Sequence, residues 1–484
     1  MSAPRVRQEG EARTGLVVMK FGGTSVEDAK AMLRTAAIVR GRRERGRAAV
    51  VVVSAMAKVT DLLLAAAAAA GRGDRSTALA ISARLRTRHV DTAAELLESE
   101  RFATMHTVFN AEFDALDDLL RGIAAVGELT PRTSDNVVSY GERLSSRMVA
   151  AAFAQYGLEG VHVDARTCIV TDEHYGKAAP IEDAIEAKLT ELVLPLIERG
   201  ETPVMGGFIG ATAAGITTTL GRGGSDYTAA LVGGGLHAGA IEIWTDVNGI
   251  MTTDPRICAD ALRVKTISFE EAAELAYFGA KVLHPATILP AVQKSIPVWV
   301  LNSRNAENEG TKITAMAPPC ASPFKSIAAK KRLTIIDVVA SRMLMSHGYL
   351  KAVFDVFDRY ACAIDMVSTS EVSISVTVDS NEQLPAICAE LGKIADVKLE
   401  GGKALVCLVG EDIRGHNGIA GRVFSAIRHI NVRMISQGAS EINMSFMIEE
   451  SDVEEAVRSL HAEFFAEPDA TVFDVEARSA VVSG

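Results

Sequence analysis

Residues 215–256, GITTTLGRGGSDYTAALVGGGLHAGAIEIWTDVNGIMTTDPR, constrain the fold more than any other stretch of the chain. A threonine run leads into the turn Gly221-Arg222-Gly223-Gly224-Ser225-Asp226, a small-residue helix follows from Tyr227, and an apolar strand over 240–245 ends in Asp246. Strands alternating with helices are joined as parallel neighbours by right-handed crossovers, which gives an α/β sandwich. Glycines at the turn permit backbone geometries that a Cβ forbids, and the following helix start offers unpaired N–H groups, so the turn is an anion cradle with Arg222 as its cation. The strand carries Thr245 and Asp246 to its carboxyl end, the edge at which open α/β sheets bind ligands. Phosphate chemistry is the first expectation.

The rest of the first 300 residues repeats this shape. A buried strand over 16–20 runs into Phe21-Gly22-Gly23-Thr24-Ser25-Val26 and a helix over 27–43. A second strand, over 48–53, ends at Ser54 and turns through Ala55-Met56-Ala57-Lys58-Val59-Thr60. Residues 61–127 read as a helical layer, and a strong helix over 136–156 contains Tyr140-Gly141-Glu142-Arg143. Strands are expected over 161–164, 203–208 and 297–301, with helices over 181–199 and 268–280. The cluster Arg42-Arg43-Glu44-Arg45 reads as a solvated helix end, Gly233-Gly234-Gly235 as a tight packing point, and His284, with no histidine partner at ligand spacing, as structural.

Composition narrows the class. Hydrophobic residues make up 48% and charged residues 23% of 484, ordinary for a globular chain of two to four domains. A net charge of −11 argues against a nucleic-acid or anionic-membrane binder, so an anionic ligand must be held by local cations. The six cysteines form no C-x-x-C pair, which disfavours disulfides and a zinc site and suits the cytoplasm. The first 15 residues hold no apolar run and read as a disordered arm, and no stretch reaches the roughly 18 apolar residues of a membrane span.

After the polar segment 302–323 the chain repeats itself at an offset of 70: Ser346-His347-Gly348-Tyr349-Leu350 aligns with His416-Asn417-Gly418-Ile419-Ala420, and Ser370-Glu371 with Ser440-Glu441. Each copy reads strand, Gly-started helix, two strands, helix, strand, so a pair of ferredoxin-like modules is expected.

Five linked motifs carry a resemblance. Lys20-Phe21-Gly22-Gly23-Thr24-Ser25-Val26, Gly141-Glu142-Arg143-Leu144-Ser145, Leu220-Gly221-Arg222-Gly223-Gly224-Ser225-Asp226, Trp244-Thr245-Asp246-Val247 and Phe278-Gly279-Ala280-Lys281-Val282-Leu283-His284-Pro285 resemble, in order, those of aspartate kinases, and the paired modules resemble that family's ACT domains, in particular the lysine-regulated subgroup. The resemblance implies an amino-acid-kinase α/β sandwich with a mainly parallel sheet followed by two ferredoxin-like ACT modules. It implies transfer of the γ-phosphoryl of ATP, with Mg²⁺, to the side-chain carboxylate of L-aspartate.

By the same resemblance Lys20 lies at the transferring phosphoryl, with Phe21, Gly22 and Gly23 around the phosphates; Thr60, Glu142, Arg222 and Ser225 surround aspartate; and Thr245, Asp246, Met251, Arg256, Lys281 and Val282 line the ATP site. Met251 departs from a tyrosine common among relatives. Asp226 is the candidate acid that organises either Lys20 or Mg²⁺; no protein-only metal site is expected. Met343, Ser346, Tyr349, Leu350, Asp365, Ser370 and Glu371 match an inhibitory lysine site, and ACT modules of the family pair between subunits, implying a homodimer or homotetramer. The expected layout is an arm over 1–15, a catalytic domain over 16–305, a linker over 306–325, and modules over 326–400 and 401–484, with no room for the dehydrogenase domain of bifunctional relatives. The rival readings are a kinase for a glutamate-type substrate and a non-catalytic ACT sensor of amino acids.

Overall fold

The computed structural model describes residues 13–278, 285–320, 322–339, 348–438 and 440–475. These divide into two compact units, the first holding residues up to 249 with 266–269 and 285–317, the second 250–265, 270–278 and the residues from 318 on.

In the first unit the strands are β1 (Arg13–Phe21), β2 (Ala48–Val53), β3 (Gly160–Val163), β4 (Val170–Thr171), β5 (Thr202–Gly206), β6 (Ile209–Thr212), β7 (Thr217–Thr219), β8 (Ala238–Thr245), β9 (Thr266–Ser268), β10 (Val298–Asn302) and β11 (Thr311–Thr314). Eight of them form one sheet in the order β3-β5-β2-β1-β8-β10-β11-β9, parallel except where β10 meets β11. Its central strands are buried on both faces, which is why Val50, Val51, Val52 and Val53 form an unbroken apolar run instead of an alternating one. β4, β6 and β7 make a small separate sheet, and the threonine run is its strand β7. The segment 306–325, read as a linker, contains β11, which extends the large sheet.

The helical layer is three helices, Val59–Gly71, Arg75–Leu96 and Ser99–Val126, with Leu63, Leu85, Phe109 and Phe113 in their shared core. The expected helix over 181–199 is broken at Val193, because Pro195 removes an N–H from the ladder. One expectation fails outright. Arg42 and Arg43 are not solvated: Arg42 Nε donates to the buried Glu242 at 2.8 Å, and Arg43 donates to Leu158 O, Thr202 Oγ1 and Gly200 O. These guanidiniums tie the helix end to β8 and to the start of β5, and helical periodicity gave no sign of partners that distant in sequence.

The second unit carries one six-stranded antiparallel sheet built from β12 (Ser326–Val339), β13 (Ile364–Thr369), β14 (Ser373–Asp379), β15 (Asp396–Val409), β16 (Met434–Gln437) and β17 (Asn443–Glu449), in the order β13-β14-β12-β15-β17-β16. The 70-residue repeat is structural: β14 and β17 share it residue for residue, and Gly348 and Gly418, at φ 85° and 77°, start the helices Tyr349–Arg359 and Ile419–Ala426. Only glycine takes that left-handed cap without strain. The two modules are not independent in tandem. No strand follows the last helix, Val453–Phe464, among the described residues; its place beside β15 is taken by Ser326–Lys330, the first half of β12, while the second half of β12 serves the first module. No helix among the described residues is long and apolar enough to cross a membrane.

Candidate active site

The carboxyl ends of β1, β2 and β5 open on a cleft of about 630 Å³ in the first unit. Lys20 reaches it from the penultimate position of β1, and its ammonium meets Asp226 Oδ1 at 2.7 Å, with both side chains almost buried. Of the two groups that Asp226 was expected to organise, Lys20 is the one beside it. Gly23 sits so close to the β2 turn that a Cβ would lie 2.9 Å from Ala55 O, so the backbone there must be bare. The N–H groups of Gly23 and Thr24 donate to no described residue.

Two neighbours behave differently from expectation. Gly22 N–H is spent on Trp244 O at 3.0 Å, so it is not a phosphate donor. Phe21 is fully buried and stacks on Trp244 with centroids 5.9 Å apart, so its side chain belongs to the core and not to a nucleotide.

The helix Pro131–Gln155 supplies the opposite wall. Glu142 is 3% exposed; its Oε1 accepts from Ala55 N at 3.1 Å, and its Oε2 has no partner among the described residues. Burial pushes its carboxyl up to about 8, more than the Ala55 hydrogen bond pulls it down. Seven residues earlier, on the same helix face, Asp135 also lines the cleft. Its Oδ2 accepts from Gly176 N at 2.8 Å and Thr219 N at 3.0 Å, and its Oδ1 from Thr219 Oγ1 at 2.8 Å. Desolvation raises this carboxyl too, against the pull of those donors. Sequence reasoning passed over Asp135; the i, i+7 spacing from Glu142 was the available signal.

The glycine turn closes the site. Helix Gly224–Gly235 begins earlier than the expected Tyr227, its cap residue Gly223 lies at φ 72°, and no side chain caps it. Ser225 accepts a hydrogen bond from Ser54 Oγ at 3.0 Å, and a Cβ on Gly207 would come within 2.7 Å of it, so it is pinned between the ends of β2 and β5. Arg222 lines the cleft, is exposed, and forms no ion pair with any described residue. Thr60 stands in the first turn of helix Val59–Gly71, beside Lys58, a non-glycine residue at φ 67° that also lines the cleft and was overlooked. Lys20, Thr60, Glu142, Arg222, Ser225 and Asp226 are therefore brought together.

Thr245 and Asp246 do not line this cleft but end β8, the strand next to β1. Thr245 O accepts from Ser303 N at 2.8 Å, and Ser303 Oγ meets Ser25 Oγ at 2.8 Å, which ties the first glycine turn to that strand end. Met251 and Arg256 lie in the second unit, where Met251 O accepts from Ser326 Oγ and Arg256 pairs with Asp254 at 2.7 Å. Lys281, Val282, Met343 and Ser346 lie outside the described residues. Of the regulatory set, Tyr349 begins its helix, Leu350 is exposed, Ser370 Oγ bonds Ser373 Oγ in a turn beside the exposed Glu371, and Asp365 is already engaged by Lys330 Nζ at 2.8 Å. Among the described residues no group of three or more His, Cys, Asp or Glu is placed to hold a metal ion.

Residues 15–302 match the family model described as the amino acid kinase family, and residues 406–464 match an ACT domain. Lysine-sensitive aspartokinase 3 of Escherichia coli is 37% identical over 93% of this chain and 99% of its own length. Aspartokinase 1, chloroplastic, of Arabidopsis thaliana is also 37% identical, over 95% of this chain and 82% of its own. The crystal structure of E. coli aspartokinase III in complex with aspartate and ADP, described as the R-state, superposes with a TM-score of 0.80 at 35% identity, covering 93% of this chain and all of that one. The lysine and aspartate complex of the same enzyme, its T-state, gives 0.81 at 36% identity over the same share of this chain. With the parallel sheet, the cleft at its carboxyl edge and the ACT pair, these likenesses show that the chain belongs to the aspartokinases and is an aspartate kinase.

Proposed function

We propose that this cleft transfers the γ-phosphoryl of ATP to the side-chain carboxylate of L-aspartate, giving 4-phospho-L-aspartate in the cytoplasm, as the entry step to lysine, threonine and methionine. The observation that carries the reading is the Lys20–Asp226 pair facing a buried, half-satisfied Glu142 across one cleft. Phosphoryl transfer between two anions needs alignment and charge offset more than covalent help. Lys20 offsets charge at the transferring group, held in place by Asp226. Arg222, which forms no ion pair with any described residue, grips a carboxylate of the amino acid, and Glu142 takes its ammonium. Ser225 and Thr60 complete the amino-acid pocket, and the N–H groups of Gly23 and Thr24 meet phosphate oxygens. Thr245, Asp246, Met251, Arg256, Lys281 and Val282 remain the proposed nucleotide contacts.

Mg²⁺ fits as a companion of the nucleotide. It takes most of its ligands from phosphates and water with one or two carboxylates, so the lack of a three-residue cluster among the described residues does not oppose it. Bound, it would neutralise phosphate charge; Asp246, exposed at the end of β8, is the residue that would hold it, since Asp226 is committed to Lys20.

Lysine is the proposed inhibitor, acting through the ACT pair of a homodimer or homotetramer; the relatives' lysine-sensitive name and lysine complex support that reading. For Asp365 to take the effector's ammonium, Lys330 must first give it up. A coupled assay of ADP release with aspartate, glutamate and N-acetylglutamate, each with and without millimolar lysine or threonine, tests the proposal. Turnover with aspartate alone, suppressed by lysine, is expected; turnover with glutamate, or full activity in lysine, contradicts the substrate or the effector respectively.

Asp135 sets the geometry of this pocket through Gly176 and Thr219 without touching substrate. Asp135→Ala would strand the Gly176 N–H and the two buried Thr219 donors and raise the KM for aspartate about tenfold, while Asp135→Asn keeps one oxygen to accept from the two N–H groups, can donate its amide N–H to Thr219 Oγ1, and restores most of it. Steady-state kinetics of both variants check this; equal defects in the two would remove the positioning role.

A further inference from the structure

In the second unit, Cys258, His461 and Thr252 form a linked set. Cys258 Sγ lies 3.4 Å from His461 Nδ1, and Thr252 Oγ1 lies 2.9 Å from His461 Nε2. The proton positions follow from satisfaction of the buried hydroxyl. Thr252 is fully buried, and its Oγ1 already accepts from Leu262 N at 2.9 Å. The hydroxyl proton has one acceptor in reach among the described residues, His461 Nε2. Nε2 therefore accepts, Nδ1 carries the ring proton, and that N–H points at the sulfur.

Burial pushes the thiols of Cys168, Cys320, Cys362 and Cys388 up, and that of Cys407 up to about 12. Cys258 is partly exposed, as are Cys320, Cys362 and Cys388, but among the described residues it is the cysteine that has an imidazole N–H at its sulfur.

We propose that Cys258 is a modification site for low-molecular-weight disulfides, made selective by the Thr252–His461 relay. The thiol gives its proton to solvent, since His461 Nδ1 already carries one and donates to the resulting thiolate; the sulfur then attacks one sulfur of the disulfide, and the S–S bond breaks as a new one forms. The departing thiolate takes up a proton and leaves as a free thiol, so Cys258 is oxidised and the reagent reduced by the same two electrons. The mixed disulfide cannot fit between Cys258 and the buried His461 ring, so the turn 254–261 must part from helix Val453–Phe464, on which Arg458 Nε also holds Ile257 O at 2.9 Å.

The test uses the full chain and oxidised glutathione, with peptide mass spectrometry to rank the six cysteines. Cys258 is expected to react at least about tenfold faster than the next cysteine. Thr252→Val should slow it several-fold and flatten its pH–rate profile, and Thr252→Ser, which keeps the hydroxyl, should restore both. Another cysteine reacting first, or a Thr252→Val rate equal to that of the unaltered chain, overturns the proposal; unchanged thermal melts of the two variants separate it from misfolding. An added rise in the KM for ATP depends on the nucleotide role proposed for Arg256 in the same turn. Its absence would count against that role and not against the thiol chemistry.

Discussion

Lys20→Ala is expected to lower kcat by about 10²–10³, ~3–4 kcal/mol of barrier, with much smaller change in the KM for aspartate. The ammonium it removes is the one that Asp226 holds at 2.7 Å in the cleft. Removing only one member of a nearly buried pair leaves the other charge uncompensated, so the same variant should also lose thermal stability. The double variant Lys20→Ala/Asp226→Asn separates the two effects: it should regain stability and none of the turnover. Lys20→Arg should not rescue, because a planar guanidinium on a longer stem does not reproduce the compact ammonium that Asp226 holds at 2.7 Å. Recovery of kcat in the double variant would mean that Lys20 serves the fold and not the reaction.

Glu142 yields the second large effect, and its direction follows from where its proton sits. Burial raises its carboxyl from 4.5 to about 8, so in the free enzyme at pH 7 it is mostly protonated. An incoming ammonium requires the carboxylate, so aspartate binding releases a proton, and affinity should improve by about tenfold per unit from pH 6 toward 8 and then level off. Glu142→Gln should flatten that profile and raise the KM for aspartate at pH 8 roughly 10- to 150-fold, the worth of one charge-assisted contact at ~1.5–3 kcal/mol. Stability moves the opposite way. Between pH 4.5 and about 8 the folded chain keeps a proton that the unfolded chain has lost, so folding stability falls as pH rises through that window. Glu142→Gln removes this slope, and its melting temperature at pH 8 should exceed that of the unaltered chain. Calorimetry of aspartate binding in buffers of different ionisation enthalpy reads the released proton directly.

The sequence revealed those features whose causes are local. Apolar runs such as Ala48–Val53 give their strands because a sheet covered on both faces needs no alternation, and the β14 and β17 repeat shows in the letters because each copy solves the same packing problem. The Gly221–Asp226 turn declares itself through glycine. What stayed hidden depends on partners distant in the chain. Arg42 reads as surface until β8 brings Glu242 to it, and Gly22 reads as a phosphate donor until Trp244 O takes its N–H. The borrowed strand Ser326–Lys330 keeps the 70-residue offset, to Asp396–Glu400, but its pairing across to the second module could be found only from the sheet. Asp135 is an intermediate case: its spacing from Glu142 was visible, but the loop donors that give it a role were not.

The central claim, that the cleft between Lys20 and Glu142 phosphorylates the aspartate side chain, is tested most directly by trapping the product. An acyl phosphate reacts with hydroxylamine to give a hydroxamate, so the enzyme incubated with ATP, Mg²⁺, aspartate and hydroxylamine should form aspartyl β-hydroxamate in step with ADP. Lys20→Ala should form it about 10²–10³ times more slowly. ADP release without hydroxamate, or hydroxamate formed at an undiminished rate by Lys20→Ala, would contradict the account.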